Sequence, residues 1–217
     1  ANTLIILVFG LSLNMIMTCI AAYILSRKRV LFNRVFSLII IFTMYFSGGL
    51  IPTYLNVISL GMGDSLLSLI IPGAIATYNM IILRTGFASV PEVLEESAKI
   101  EGASNLRIML QIIIPLSKAT LAVVALYYAV THWNSWFNAM LYLNDRSKYP
   151  LQLILREILI QNDTSSMVSA MDTSGGDSSL VAITVKYAVI VVSVVPILCV
   201  YPFIQKYFTK GAMIGAV

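Results

Sequence analysis

Residues 3–25 read Thr-Leu-Ile-Ile-Leu-Val-Phe-Gly-Leu-Ser-Leu-Asn-Met-Ile-Met-Thr-Cys-Ile-Ala-Ala-Tyr-Ile-Leu, and none of them is charged. An α-helix needs roughly 20 apolar residues to cross a bilayer core of about 30 Å, so this stretch is long enough. Four more stretches have the same character: Val35–Ile58, Leu66–Leu83, Ile112–Leu143 and Leu180–Phe203. Each is too long and too uniformly apolar for a membrane β-strand, which alternates over about ten residues. Helices then satisfy the backbone in lipid. The expected fold is all-α, with one membrane domain over residues 1–217 and five transmembrane helices.

Composition agrees. Of 217 residues, 59% are hydrophobic and 11% charged, where a soluble domain carries about 25% charged residues. The net charge of +4 follows topology and not nucleic-acid binding. With Ala1 outside, the inner side receives Arg27, Lys28, Arg29, Arg34, Arg84, Lys99, Arg107, Lys118, Lys206 and Lys210. The outer side receives only Arg146, Lys148, Arg156 and Lys186, the asymmetry expected of cytoplasmic loops. The opening Ala1-Asn2-Thr3-Leu4 has no basic n-region or cleavage site. This orientation therefore implies a missing earlier helix, giving six spans in the native subunit. Cys19 and Cys199 read as small buried residues, and His132 has no Cys or carboxylate at ligand spacing. No catalytic residue, cofactor or metal site is expected in this chain.

Two polar segments separate the later spans, 88–111 inside and 144–179 outside. In the inner one, Ser89-Val90-Pro91-Glu92 has the form of a capping box. A helix from about Pro91 to Glu101 is expected, stopped by Gly102, with a second start at Ser104. Leu106, Met109, Leu110 and Ile113 follow at the spacing of one apolar stripe. Helices of about ten residues are marginal alone in water, so these need a partner surface. Headgroup-binding helices are usually basic, whereas Glu92, Glu95, Glu96 and Glu101 make this one acidic. Glu92 and Glu95 read as a solvated face.

Glu96-Ser97-Ala98, three residues, Gly102, nine residues, then Ile112-Ile113-Ile114-Pro115 resembles the EAA loop of ABC importer permeases. Ser97 replaces an Ala of that pattern and Ile114 a Leu, with the spacing intact. The resemblance implies the type I permease fold. It also implies a cytoplasmic coupling helix that docks in a groove of an ATPase through Glu96, Ser97, Ala98, Glu101, Gly102, Ala103 and Pro115. No Walker-type phosphate loop occurs in the chain, so ATP and Mg belong to the partner ATPase. The expected spans also lack Asp and Glu, which ion-coupled secondary transporters and channels, the alternative class, commonly use.

On the outer side, Trp133, Asn134, Trp136, Phe137 and Asn138 stand near the end of the fourth span. On one continuous helix the two Trp share a face, as do the two Asn. Rings beside amides suit sugars, and an interfacial aromatic belt accounts for them equally. The residues Trp133–Asn138, Pro150-Leu151-Gln152 through Leu159, and Pro202-Phe203 through Gly215 are similar to the LplC/YtcP-type carbohydrate permeases, a branch of the maltose-type importer family. That likeness implies a bacterial plasma-membrane subunit importing an oligosaccharide. It further implies a second homologous permease, an ATPase dimer and an extracytoplasmic solute-binding protein. Arg146, Lys148, Arg156, Glu157, Asp163 and Asp172 are candidate docking charges for that binding protein, and Asp172–Asp177 reads as flexible. Lys186 reads as a snorkelling lysine, and residues 205–217 as a basic tail on the inner surface. Pro52, Pro72, Pro115 and Pro196 mark expected irregular points.

Overall fold

The computed structural model of the chain describes residues 1–27, 31–169 and 176–214, with side chains described over 1–27, 31–161 and 183–202. The described residues are helical and contain no strand. Helix α1 spans Asn2–Ser26, α2 Asn33–Tyr45, α3 Leu50–Ser59, α4 Leu67–Ile70 and α5 Thr77–Ala88. They are followed by α6 Glu92–Ile100, α7 Asn105–Ile108, a π-helical turn Met109–Ile113 and α8 Ile114–Leu116. The chain ends with α9 Lys118–Trp133, α10 Trp136–Tyr142, α11 Leu151–Ser169 and α12 Gly176–Ile214.

Two of the five expected spans are uninterrupted helices, α1 and Ile183–Pro202 within α12. The others are broken, and only two of them, α2 with α3 and Asn105–Leu116 with α9, are long and apolar enough to cross a membrane as bent pairs, so the described residues offer up to four spans and not five. Between α2 and α3 the axis turns by 111° at Gly49, whose φ of +92° is available to glycine at no steric cost. Pro52 then falls in the first turn of α3, where its missing N–H is not needed. The third span loses its helix over residues 71–76, at Pro72-Gly73. The segment read as Ile112–Leu143 divides further: Asn105–Leu116 runs at 88° to α9, and α9 itself stops before α10. Pro115 cannot donate to the residue four before it, and the Ile114 N–H bonds Met109 instead, the wider turn that often accommodates such a fault. Within 144–179, α11 occupies residues 151–169, so most of that segment is helix. Of the expected flexible stretch Asp172–Asp177, residues 172–175 lie outside the described residues, as do the side chains of Asp163 and of the 205–217 tail, while Gly176 and Asp177 open α12.

The backbone groups freed at the 71–76 break need other partners. Here the partners come from α1 and α9. Asn14 Nδ2 donates to the carbonyls of Gly73 at 2.6 Å and Ala74 at 3.0 Å. The Tyr128 hydroxyl accepts the Ala76 N–H at 2.9 Å and is bonded to Thr18 Oγ1 at 2.7 Å. Because its amide nitrogen is committed as a donor, Asn14 meets His132 Nε2 through Oδ1, at 2.6 Å. His132 must therefore carry its proton on Nε2. Gly10 makes room for that ring, since a Cβ there would lie 2.6 Å from His132 Nε2. His132 is thus a buried structural residue.

This polar layer separates two apolar cores. The inner one joins Leu25, Leu83, Phe87, Ala98, Ile108 and Val124 of α1, α5, α6, α7 and α9. The outer one joins Ile6, Val57, Leu69, Ala139, Tyr142 and Leu153. On the outside, Asp64 ties the turn after α3 to the connection between α10 and α11. Its carboxylate pairs with Lys148 Nζ at 2.7 Å and accepts the N–H groups of Asn144 and Asp145. The Lys148 hydrogen bond, with those of the Asp145 and Asn144 backbone, lowers the Asp64 pKa to about 2. Lys148, a candidate docking charge, fastens this corner.

Three outcomes follow. Gly10→Ala forces the His132 ring to shift and should lower the detergent-solubilised protein's stability by roughly 1–3 kcal/mol, read as a fall in Tm. Asn14→Leu, which strands two carbonyls and an imidazole N–H, should cost at least as much. For Asp64 the folded pKa lies below its unfolded value, so its contribution is complete above the ordinary carboxylate range and is lost as pH falls through about 2. The Tm gap between wild type and Asp64→Asn should therefore be flat at neutral pH and shrink only below pH of about 4.

Candidate coupling interface

The inner segment folds as a tight helical pair against the ends of α1 and α5. Pro91 caps α6, and no side chain caps its first turn. The expected capping box is not formed: Ser89 closes α5, and its hydroxyl donates to Gly86 O at 2.8 Å. The end of α6 is as the sequence indicates. Gly102 has φ +83°, the Gly102 N–H donates to Lys99 O at 3.0 Å and the Ala103 N–H to Ala98 O at 2.9 Å. This paired closure satisfies the last carbonyls and needs a left-handed residue. Ser104 then caps α7 by accepting the Arg107 N–H at 3.3 Å.

Burial gives α6 two faces. Glu95 and Ala98 point inward and are buried, whereas Glu92, Glu96, Ser97 and Lys99 are exposed. Glu95 is thus no solvated residue. It stands 3.0 Å from Arg27 Nε in an ion pair whose side chains are 7% and 13% exposed, a close charge contact without hydrogen-bond alignment. Arg27 also donates to Phe87 O at 3.2 Å and lies over the Tyr23 ring at 5.2 Å. One guanidinium therefore joins the C-terminal end of α1, the end of α5 and the middle of α6. The signal that sequence reading missed was the pairing of an acid on the inner helix with the basic run after the first span.

The outward side is apolar where a soluble surface would be polar. Val93, Leu94 and Ile100 of α6 are exposed at 67%, 42% and 87%, joined by Leu106 and Leu110. The expected stripe of Leu106, Met109, Leu110 and Ile113 divides in consequence: Met109 and Ile113 are buried while the two leucines face out. Ala98, Glu101 and Ala103 line a notch of about 160 Å³ with Arg107, Ile108, Gln111 and Ile112. Pro115 lies beyond the notch, in α8. Glu96, Ser97, Gly102 and the notch residues therefore share the inner surface with an apolar rim.

Of the outer candidates, only Trp136 and Phe137 are in ring contact. Helix α9 ends at Trp133 and α10 begins at Trp136, so the shared-helix faces of the two Trp and the two Asn do not exist. Trp133 Nε1 donates to Ser193 O of α12 at 3.1 Å. Trp136 lies under the Arg156 guanidinium at 3.7 Å and edge-on to Phe137. Asn134, Phe137 and Asn138 are exposed. Arg146 pairs with Glu157 at 3.3 Å. Among the described residues, no cluster of His, Cys, Asp and Glu stands where a metal would be held.

Residues 14–213 match the family described as binding-protein-dependent transport system inner membrane component. The chain is 47% identical over 210 residues to the polygalacturonan/rhamnogalacturonan transport system permease protein YtcP of Bacillus subtilis, covering 97% of this chain and 73% of that one. It is 44% identical to protein LplC of the same organism, covering 98% and 71%. Among solved structures, a bacterial ABC transporter involved in the import of the acidic polysaccharide alginate aligns with a TM-score of 0.82. It is 36% identical over 96% of this chain and 73% of its own.

Removing one member of a buried ion pair strands the other charge, at a cost on the order of 3 kcal/mol. Arg27→Gln and Glu95→Gln should each lower Tm. The double variant should lose less than the two losses added, as a double-mutant cycle would show.

Proposed function

Because the chain belongs to the family of inner membrane components of binding-protein-dependent transport systems, we propose that it is the permease subunit of an ATP-driven importer carrying an oligosaccharide inward. The observation that carries this reading is the two-faced helix α6. Its inner face is locked to the membrane helices by Glu95 and Ala98, and its outer face presents Val93, Ser97 and Ile100. A short amphipathic helix of this kind fits the groove of a partner. A body that grips it can pull on α1 and α5 through Arg27.

In this reading α6 is a coupling helix, held by a cytoplasmic ATPase dimer that supplies the ATP and Mg. Glu96 and Ser97 meet the ATPase, Gly102 sets the turn to α7, and Glu101 and Ala103 line the receiving notch. A second homologous permease completes the pathway, and a solute-binding protein delivers sugar to the outer side. The chain performs no catalysis itself. Nucleotide closure biases one of two packings of the helix bundle, and the loaded binding protein biases the same equilibrium from outside. YtcP is named for a polymer of a sugar acid and the alginate transporter for an acidic polysaccharide. Oligosaccharides containing uronic acid are accordingly the first substrates to try. A secondary transporter is disfavoured, because no Asp or Glu occurs in α1, α2, α5, α9 or Ile183–Pro202.

The test is uptake of oligogalacturonate by proteoliposomes holding the full complex with its binding protein. Uptake should require internal or external ATP on the ATPase side and stop with a catalytically dead ATPase. Gly102→Pro removes the Lys99 bond and cannot adopt the required φ, so uptake should fall at least about tenfold while the subunit stays in the membrane. Uptake driven by an ion gradient without ATP would overturn the proposal.

A further inference from the structure

The basic residues assigned to the outer side differ in what neutralises them. Arg146 pairs with Glu157 at 3.3 Å, and Lys148 with Asp64 at 2.7 Å and Asp145 at 3.8 Å. Lys186 is exposed on α12. Arg156 of α11 is partly buried and forms no ion pair among the described residues. Its guanidinium carbon lies 3.7 Å from the centre of the Trp136 ring, and Nη1 donates to Met140 Sδ at 3.2 Å. A thioether is a weak acceptor, so these contacts leave the charge uncompensated.

The platform beneath the guanidinium is fixed. Trp136 opens α10, packs on the outer core and stands edge-on to Phe137 with ring centres 5.5 Å apart. Leu153 of α11 is buried in the same core, so the helix that carries Arg156 is seated there too. A guanidinium stacked on an aromatic face presents its N–H groups at its rim, in a fork that matches a carboxylate with two parallel hydrogen bonds. Because the ring already sets its plane, less side-chain freedom is lost when those bonds form. Beside it, Phe137 and Met140 are exposed at 42% and 48%, which adds an apolar surface to the charged one. A uronic acid residue carries that combination on one ring, a carboxylate and an apolar C–H face. An inorganic anion has the charge without the face.

We propose that Arg156, seated on Trp136, is a carboxylate-binding site on the outer side of the subunit, and that it takes a uronic acid residue of the arriving oligosaccharide. The inference rests on the transport reading above and deepens it by assigning selection for charge to one side chain. Arg156 takes the carboxylate, Phe137 offers a face to the pyranose, and Trp136 positions the guanidinium. A neutral sugar of the same size forgoes the charge-assisted bonds and is disfavoured by that difference. Arg146 and Lys148 are not equivalent to it, because carboxylates of this chain already engage them.

The test uses the complete importer in proteoliposomes, with trigalacturonate and its methyl ester each loaded to saturation on the binding protein. Arg156→Gln should lower kcat/KM for the acid at least about tenfold, and for the ester at most about twofold, as expected when a charge-assisted pair is lost. Arg156→Lys should recover part of the loss, since it keeps the charge without the planar fork. Trp136→Leu, which removes the platform, should reproduce the selective loss, and Trp136→Phe should largely reverse it. Uptake of the ester serves as the check that each variant is folded. Equal losses for the two cargoes would make Arg156 a docking charge for the binding protein and overturn the proposal. No loss for either would make it a packing contact of Trp136 or a partner of lipid headgroups, which overturns it equally. Uptake of the ester but not of the acid by the unmodified complex would also overturn it, while the transport reading stands. Uptake of neither would remove the transport reading, and the inference with it.

Discussion

Backbone groups freed where a helix breaks need other hydrogen-bond partners, and the architecture of this chain is arranged around one such break. At Pro72–Ala76 three backbone groups are released, and Asn14 and Tyr128 take them up. Those two side chains in turn require His132 and Thr18, and His132 requires the absence of a side chain at Gly10. Helices α1, α5 and α9 are thereby fixed in register by a layer of directional bonds between two apolar cores. Apolar packing alone would allow these helices to slide, since lipid tails are as apolar as leucine. The hydrogen bonds specify a single alignment.

The inner end uses charge for the same purpose. Arg27 gathers the ends of α1 and α5 and the acidic helix α6 into one unit, so α6 is carried by the membrane bundle and not hung from a loop. The outer end uses Asp64 and Lys148 in the same way, though in an exposed setting where an ion pair contributes less.

Much of this was legible in the sequence, and the failures are instructive. Apolar length found α1 and the last helix, which stays helical through Pro196, where an irregular point was expected. The EAA-like spacing located α6 and its glycine stop, because a left-handed closure leaves a local mark at Gly102. The breaks at 46–49, 71–76, 117 and 134–135 were marked by Gly, Pro or polar residues. Hydropathy, however, averages over them and cannot tell a kink from a 111° turn. The pairing of Glu95 with Arg27, and of Asn14 with His132, joins residues 68 and 118 positions apart; composition and periodicity carry no such information. The same limit hid the partners of the two tryptophans, Ser193 of α12 for Trp133 and Arg156 of α11 for Trp136.

The claim on which the functional account stands is that α6 is gripped by a separate ATPase. The direct measurement is purification of the tagged subunit from gently solubilised membranes, with identification of what accompanies it. The account predicts a second permease and a P-loop ATPase, with the ATPase lost when Val93 and Ile100 are replaced by aspartate and retained when Leu4 and Val8 are. Recovery of this subunit without any ATPase, or retention of the ATPase by the Val93→Asp, Ile100→Asp variant, would contradict it.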